Sequence, residues 1–187
     1  MLFNSVLRYN LTCVIEIRKI ELKMASNQNA KDFLVKIQKS KDMKNVQGGL
    51  LDSTIEGRKN ILDLNIAVGL DVSGSISGAV FTKFMAQLDS IKGLSRVKVI
   101  EIDTEIVAIY DYYKTKQNRV VRLRGGGGTM FAPAFEKFKQ LRPDAILFMT
   151  DGDVAGVVED PGIPTGWIMS TNNKPPYGFG EVIVRLE

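Results

Sequence analysis

A nearly unbroken apolar run at residues 64–70, matched by a second run at 145–149, is the feature that most constrains the fold. Strands that are apolar on both faces are typical of parallel sheets, which are covered by helices on both sides. Amphipathic segments alternate with these runs and predict helices at about 28–45, 76–91 and from residue 131. Further strands are predicted at 97–102, 105–110, 166–170 and 181–186, with a shorter one around Arg119–Arg124. We therefore expect an α/β fold of three layers, doubly wound around a mostly parallel sheet.

Polar side chains follow both apolar runs at the points where the strands should end. Asp71, Ser73 and Ser75 come after the first run, Asp151 comes after the second, and Thr129 follows four consecutive glycines. In an open parallel sheet, ligands collect beyond the carboxyl ends of the strands where the strand order reverses. Carboxylate and hydroxyl oxygens are the donors that hard cations such as Mg²⁺ prefer. The sequence therefore predicts a divalent-metal site built from these three segments.

Each segment also has an ordinary structural explanation when it is taken alone. Ser73 and Ser75 could cap the helix that begins near residue 76, and Asp151-Gly152 is a common turn sequence. The metal interpretation is favoured because all three segments occur in order and at strand ends.

The composition excludes several classes of functional site. The chain has no histidine, which removes Ser-His-Asp triads and every histidine-ligated metal centre. Its one cysteine, Cys13, allows no internal disulfide and no Cys-x-x-Cys zinc site, so we expect a reducing, cytoplasmic setting. Any metal in this protein must then be held by oxygen atoms.

The basic charge belongs to the N-terminal third of the chain. The formal net charge is +4, and residues 1–60 hold 11 Lys/Arg against six Asp/Glu. We divide the chain into a basic extension with an amphipathic helix at 1–60 and a globular domain at 61–187. No aromatic-rich basic stripe is present, so we do not expect a nucleic-acid partner. Residues 1–24 are too short and too charged to span a membrane, and Met24 is an alternative start that would leave the residues before it untranslated.

The pattern Asp71-x-Ser73-x-Ser75, followed by Thr129 and Asp151, resembles the metal-ion-dependent adhesion site (MIDAS) of von Willebrand factor A domains. The resemblance covers about residues 62–187. The glycine run and the ending Pro175–Ile183 are similar to a narrower group, found at the C-terminus of predicted bacterial and phage metal-dependent peptidases. The resemblance implies a Rossmann-type sheet with one antiparallel edge strand. It also implies that five residues bind Mg²⁺ or Mn²⁺, directly or through water: Asp71, Ser73, Ser75, Thr129 and Asp151.

Binding rather than catalysis is the function that this resemblance implies. A carboxylate from a protein partner would complete the coordination of the ion, and MoxR-type AAA+ ATPases are among the partners of such domains. Two features depart from the narrower group. Met130 stands where an acid commonly follows the threonine, and the histidine-based zinc motif of the peptidase half has no counterpart in this chain.

Two other functions stay open at this point. Residues 151–156 also resemble the Asp-x-Asp-x-x-Gly signature of Toprim domains, which hold Mg²⁺ for phosphoryl transfer. A Toprim site needs a glutamate just past a strand, whereas Glu101 falls within one, and the hydroxyl-bearing segments would have no role. The remaining alternative is a metal-free interaction domain in which Asp71 and Asp151 are only turn residues.

Overall fold

The computed structural model describes residues 30–42, 64–91, 95–112 and 129–186. Three helices occur in this part of the chain: α1 (residues 30–42), α2 (Gly78–Ile91) and α3 (Ala132–Leu141). Six strands accompany them: β1 (Asn65–Asp71), β2 (Arg96–Ile102), β3 (Ile106–Asp111), β4 (Ala145–Thr150), β5 (Thr165–Met169) and β6 (Glu181–Arg185). The strand predicted at Arg119–Arg124 and the glycine run at 125–128 lie outside the described residues.

The six strands form one sheet in the order β3-β2-β1-β4-β5-β6. All neighbouring pairs are parallel except β2 and β3, which are antiparallel and place β3 at an edge. The predicted α/β class, the three layers and the antiparallel edge strand are therefore confirmed. The first strand, β1, lies in the middle of the sheet. The chain then adds β2 and β3 on one side of β1 and adds β4, β5 and β6 on the other side. The strand order thus reverses between β1 and β4.

Burial explains why the two apolar runs became the central strands. All six residues of β4 and six of the seven residues of β1 are buried. One face of the sheet packs against α1 and α2. The other face carries the rings of Phe148 and Trp167, which pack against Phe138 of α3 and against Phe179. Both faces of β1 and β4 therefore lie in apolar surroundings, as their composition requires.

Helix α1 belongs to the core of the described structure. Ala30, Phe33 and Leu34 are buried in the cluster that also contains Leu64 and Ile168. Glycine at position 166 of β5 leaves room for the ring of Phe33, because a Cβ atom there would stand 3.3 Å from that ring. The division between residues 1–60 and 61–187 stays a prediction, since residues 43–63 lie outside the described ranges.

Helix α2 begins two residues later than the sequence pattern suggests. The amide of Ile76 donates to the carbonyl of Ser73 at 3.1 Å, which makes residues 73–76 a turn. The hydroxyl of Ser77 accepts from the amide of Val80 at 3.3 Å and so caps the helix.

Among the described helices, none is long and apolar enough to cross a membrane.

Candidate metal site

The carboxyl ends of β1 and β4 place Asp71 and Asp151 on adjacent strands. Asp71 is the last residue of β1, and Asp151 directly follows β4. The parallel register pairs Leu70 with Met149, so the residues that follow lie at the same edge of the sheet. This edge is at the reversal of strand order, where ligands bind in open α/β sheets.

Asp71 has a buried carboxylate with a hydrogen bond on each oxygen. The residue is 0% exposed. Its Oδ1 accepts from the amide of Ser73 at 3.0 Å, and its Oδ2 accepts from the hydroxyl of Thr150 at 2.7 Å. Burial raises the pKa of Asp71 above its usual value, the Ser73 and Thr150 hydrogen bonds oppose this, and the charge of Asp151 adds to it. An anionic Asp71 is therefore held mainly by neutral donors, with a second carboxylate near enough to act on it.

Ser73 and Ser75 point their hydroxyl groups toward each other, with their Oγ atoms 3.1 Å apart. Ser73 is buried and Ser75 is exposed, so the pair runs from the carboxylate layer toward the surface. Since Ser77 caps α2, neither of these serines is needed for that purpose. The structure therefore does not support the capping explanation, and it leaves two converging hydroxyl groups beside Asp71.

Thr129 is held in place by backbone hydrogen bonds on both sides of its segment. The amide of Met130 donates to the carbonyl of Asp103 at 3.0 Å, just past the end of β2. The amide of Ala155 donates to the carbonyl of Thr129 at 2.8 Å, and Met130 and Ala155 form an isolated parallel bridge. Segment 129–130 therefore connects the end of β2 with the loop that carries Asp151. Thr129 is 6% exposed, and no described residue makes a hydrogen bond with its hydroxyl.

Asp151 presents one carboxylate oxygen that the described residues leave without a donor. Its Oδ1 accepts from the amide of Asp153 at 3.0 Å, which closes a turn at Gly152. This turn is the ordinary role that the sequence also allowed, and it occupies Oδ1 only. Asp151 is 8% exposed, so the residue is largely buried at this edge of the sheet.

The five predicted ligands thus all lie at one edge of the sheet, with Asp71 at the end of β1 and the other four in loops, although their binding of a metal stays a prediction. Among the described residues, no three acidic or thiol side chains come together as an all-anionic metal site. An ion at this edge would therefore depend on the hydroxyl groups as well as on the two carboxylates. Mg²⁺ and Mn²⁺ prefer oxygen ligands, so this set of carboxylate and hydroxyl oxygens fits either ion.

Two residues of this edge were missed at the level of sequence. Thr150 donates the hydrogen bond that fixes Asp71, and Asp103 has a buried Oδ1 without a hydrogen-bond partner among the described residues. Asp103 follows the end of β2 as Asp71 ends β1, so the same strand-end rule would have indicated it. Thr150 carried no separate signal, because its role depends on β1 and β4 being neighbours.

The geometry gives the Toprim alternative no support. Glu101 lies within β2, is 2% exposed, and accepts a hydrogen bond from the hydroxyl of Tyr110 at 2.8 Å. Its carboxylate is therefore engaged inside the sheet layer rather than at the edge with Asp151. Asp153, the second acid of that signature, is exposed.

Comparison with known proteins agrees with the observed fold. A family model described as a VWA-like domain (DUF2201) matches residues 66–186. The match covers well over half of the chain and includes all five predicted ligands. A search among curated proteins finds no match. Helix α1 lies before the matched region, although its apolar side chains are part of the core.

Proposed function

The chain belongs to the VWA-like domain family, and on this premise we propose that it is a metal-ion-dependent protein-binding module without catalytic activity of its own. Mg²⁺ or Mn²⁺ would be held, directly or through water, by Asp71, Ser73, Ser75, Thr129 and Asp151.

The observation that carries this proposal is the pair of carboxylates at the reversal point. Asp71 ends β1 and Asp151 directly follows β4, at the same edge of the sheet. Burial is the main cause that raises the pKa of Asp71, the charge of Asp151 adds a smaller effect, and the groups that lower this pKa are the neutral donors Ser73 and Thr150. Bringing like charges together away from water is costly unless a cation compensates them. A divalent cation between these carboxylates and the neighbouring hydroxyl groups would remove that cost.

Neutral hydroxyl ligands favour partner binding over tight enclosure of the ion. With only two carboxylates, a bound Mg²⁺ keeps affinity for a further anionic oxygen, such as a carboxylate of a protein partner. Two apolar side chains near these ligands in the sequence are exposed and are here called the rim: Met130, which follows Thr129, is 44% exposed, and Val157, in the segment that follows Asp151, is 89% exposed. Contiguous apolar patches mark protein interaction surfaces, and the rim would contribute to such a patch. The site would therefore bind a carboxylate of the partner at the ion and apolar side chains of the partner at the rim.

A MoxR-type AAA+ ATPase is the partner that we would test first, because the resemblance to von Willebrand factor A domains implies that class of partner. We propose a cytoplasmic setting for this complex, on the strength of the single cysteine in the chain.

Isothermal titration of the metal-stripped protein with Mg²⁺ and Mn²⁺, beside the Asp71→Ala variant, tests the site. We expect saturable binding with one ion per chain that is lost in the variant, while circular dichroism shows that the variant keeps its fold. Equal metal affinity in the two proteins would argue against the assigned ligands.

The partner carboxylate is tested separately with Mn²⁺-loaded protein and a short aspartate-containing peptide. We expect the peptide to displace water from the ion and to lower the water-proton relaxation enhancement. The same peptide with asparagine in place of aspartate is the control. If both peptides act alike, the carboxylate is not what the site recognises.

A further inference from the structure

The main chain of Asp151 is held from the side by the loop that follows β5, here called the β5–β6 loop (residues 170–180). The hydroxyl of Thr171 donates to the carbonyl of Asp151 at 2.6 Å, and the side-chain amide of Asn173 donates to the same carbonyl at 3.2 Å. Two donors on one carbonyl fix the orientation of the Asp151–Gly152 peptide. They thereby fix the direction in which the Asp151 side chain leaves the backbone.

The two donors are themselves ordered by further hydrogen bonds. The amide of Asn173 donates to the hydroxyl of Thr171 at 3.2 Å, so this hydroxyl accepts from one partner and donates to another. The Nη1 atom of Arg185, at the end of β6, donates to the carbonyls of Thr171 and Asn173 at 2.8 and 2.9 Å. Hydrogen bonds thus run without a break from the edge strand to the carboxylate residue.

Close packing at Gly152 makes this support rigid. Gly152 has φ of +85°, and a Cβ atom at this position would stand 2.8 Å from Cε of Met169 and 3.3 Å from the carbonyl oxygen of Lys174. Glycine is therefore required both for the backbone conformation and for the close approach of the β5–β6 loop. The turn that carries Asp151 lies directly against this loop, so a shift of the loop would shift the carboxylate.

We propose that Thr171, Asn173 and Arg185 are positioning residues that set the metal affinity of the site by orienting Asp151. This inference rests on the proposed metal-binding function. Loss of an outer hydrogen-bonding partner of a metal ligand typically costs about 10–100-fold in affinity. Here the hydrogen bonds end on the main chain of the ligand residue rather than on its carboxylate, so we expect a loss near the lower figure, about tenfold.

Thr171→Val and Thr171→Ser test the proposal in the full chain, with Mg²⁺ affinity measured by isothermal titration. Valine keeps the shape and removes the hydroxyl, so we expect affinity to fall about tenfold, whereas serine should restore it. Thr165→Val is the matched control. The Thr165 hydroxyl donates to the carbonyl of Ile163 at 2.9 Å, at the opposite end of β5. We expect that variant to lose stability without losing metal affinity.

Arg185→Met provides a second variant that does not depend on the tolerance of position 171. Arg185 is exposed, so its replacement should leave the fold intact, and we expect a smaller loss of Mg²⁺ affinity in the same direction. Unchanged affinity in both Thr171→Val and Arg185→Met, beside clear binding by the unmodified protein, would overturn the positioning role alone. An unmodified protein that binds no Mg²⁺ would overturn the proposed metal site and this inference together.

Discussion

Replacing Thr150 by valine removes one hydroxyl that makes two hydrogen bonds in the candidate site. This hydroxyl donates to Oδ2 of Asp71 at 2.7 Å and accepts from the amide of Gly152 at 3.0 Å. Thr150 itself is fully buried at the end of β4. Valine fills nearly the same volume, so the substitution removes polar contacts and leaves the packing almost unchanged.

The expected cost follows from what each partner loses. A hydrogen bond to a charged group contributes about 1.5–3 kcal/mol, and a buried amide without a partner costs about 1–3 kcal/mol. The amide of Gly152 is only partly buried and water can replace part of its bond, so we expect a total of about 2–4 kcal/mol. For a chain of this size, that loss lowers the melting temperature by about 10 °C.

Urea and thermal unfolding of the metal-free protein measure this loss, with Thr150→Ser as the matched control. Serine keeps the hydroxyl and removes one methyl group, which costs about 1 kcal/mol. We also expect Mg²⁺ to raise the melting temperature of Thr150→Val less than that of the unmodified protein, because Asp71 loses the bond that orients it. Equal destabilisation by valine and serine would refute the reasoning, since the hydroxyl would then contribute nothing beyond its volume.

Three other variants probe packing, partner contact and ionisation. Gly69→Ala adds a methyl group that overlaps ring atoms of Phe148. We expect urea unfolding to show a free energy of unfolding that is lower by about 1–3 kcal/mol, and an unchanged unfolding midpoint would contradict this packing. Met130→Gln with Val157→Ser should keep Mg²⁺ affinity and weaken binding of the aspartate-containing peptide, and equal peptide affinity would exclude this rim as a contact. Burial raises the pKa of Tyr177 from 10.0 to about 12, so the associated stability is present below pH 10 and lost as the pH rises toward 12. We expect Tyr177→Phe to lose less stability than the unmodified protein over that interval in alkaline unfolding curves.

The sheet could be predicted from the sequence because its central strands are apolar on both faces. Residues 64–70 and 145–149 admit few other structures, and they became β1 and β4 with shifts of one residue at most. The start of α2 was predicted two residues too early, because Ser73, Ser75 and Ser77 are all residues that can cap a helix. Only the hydrogen bond from Val80 identifies Ser77 as the cap.

The sequence predicted which edge of the sheet carries the candidate site, but it did not predict the contacts within that site. Asp71 and Asp151 could be assigned to strand ends, which brings them to one edge once β1 and β4 pair. The bond between Thr150 and Asp71 joins residues 79 positions apart, so it depends on the register of that pairing. Thr171 and Asn173 lie in a loop without a motif, and only the folded chain shows that they contact Asp151. Local patterns thus located the acids, whereas long-range geometry determined what supports them.

The position of helix α1 has a consequence for the order in which the protein is assembled during synthesis. Phe33 leaves the ribosome early, but Gly166 of β5, which receives its ring, follows 133 residues later, and Glu181 of β6, the partner of Lys36 at 3.1 Å, comes later still. Contacts between such distant parts of a chain form slowly, because a long loop must close before they contribute any stability. The contacts of α1 with β5 and β6 can therefore form only after residues 166–181 have been synthesised. Until then, the side chains of α1 that these strands contact are open to non-native contacts of the kind that lead to aggregation.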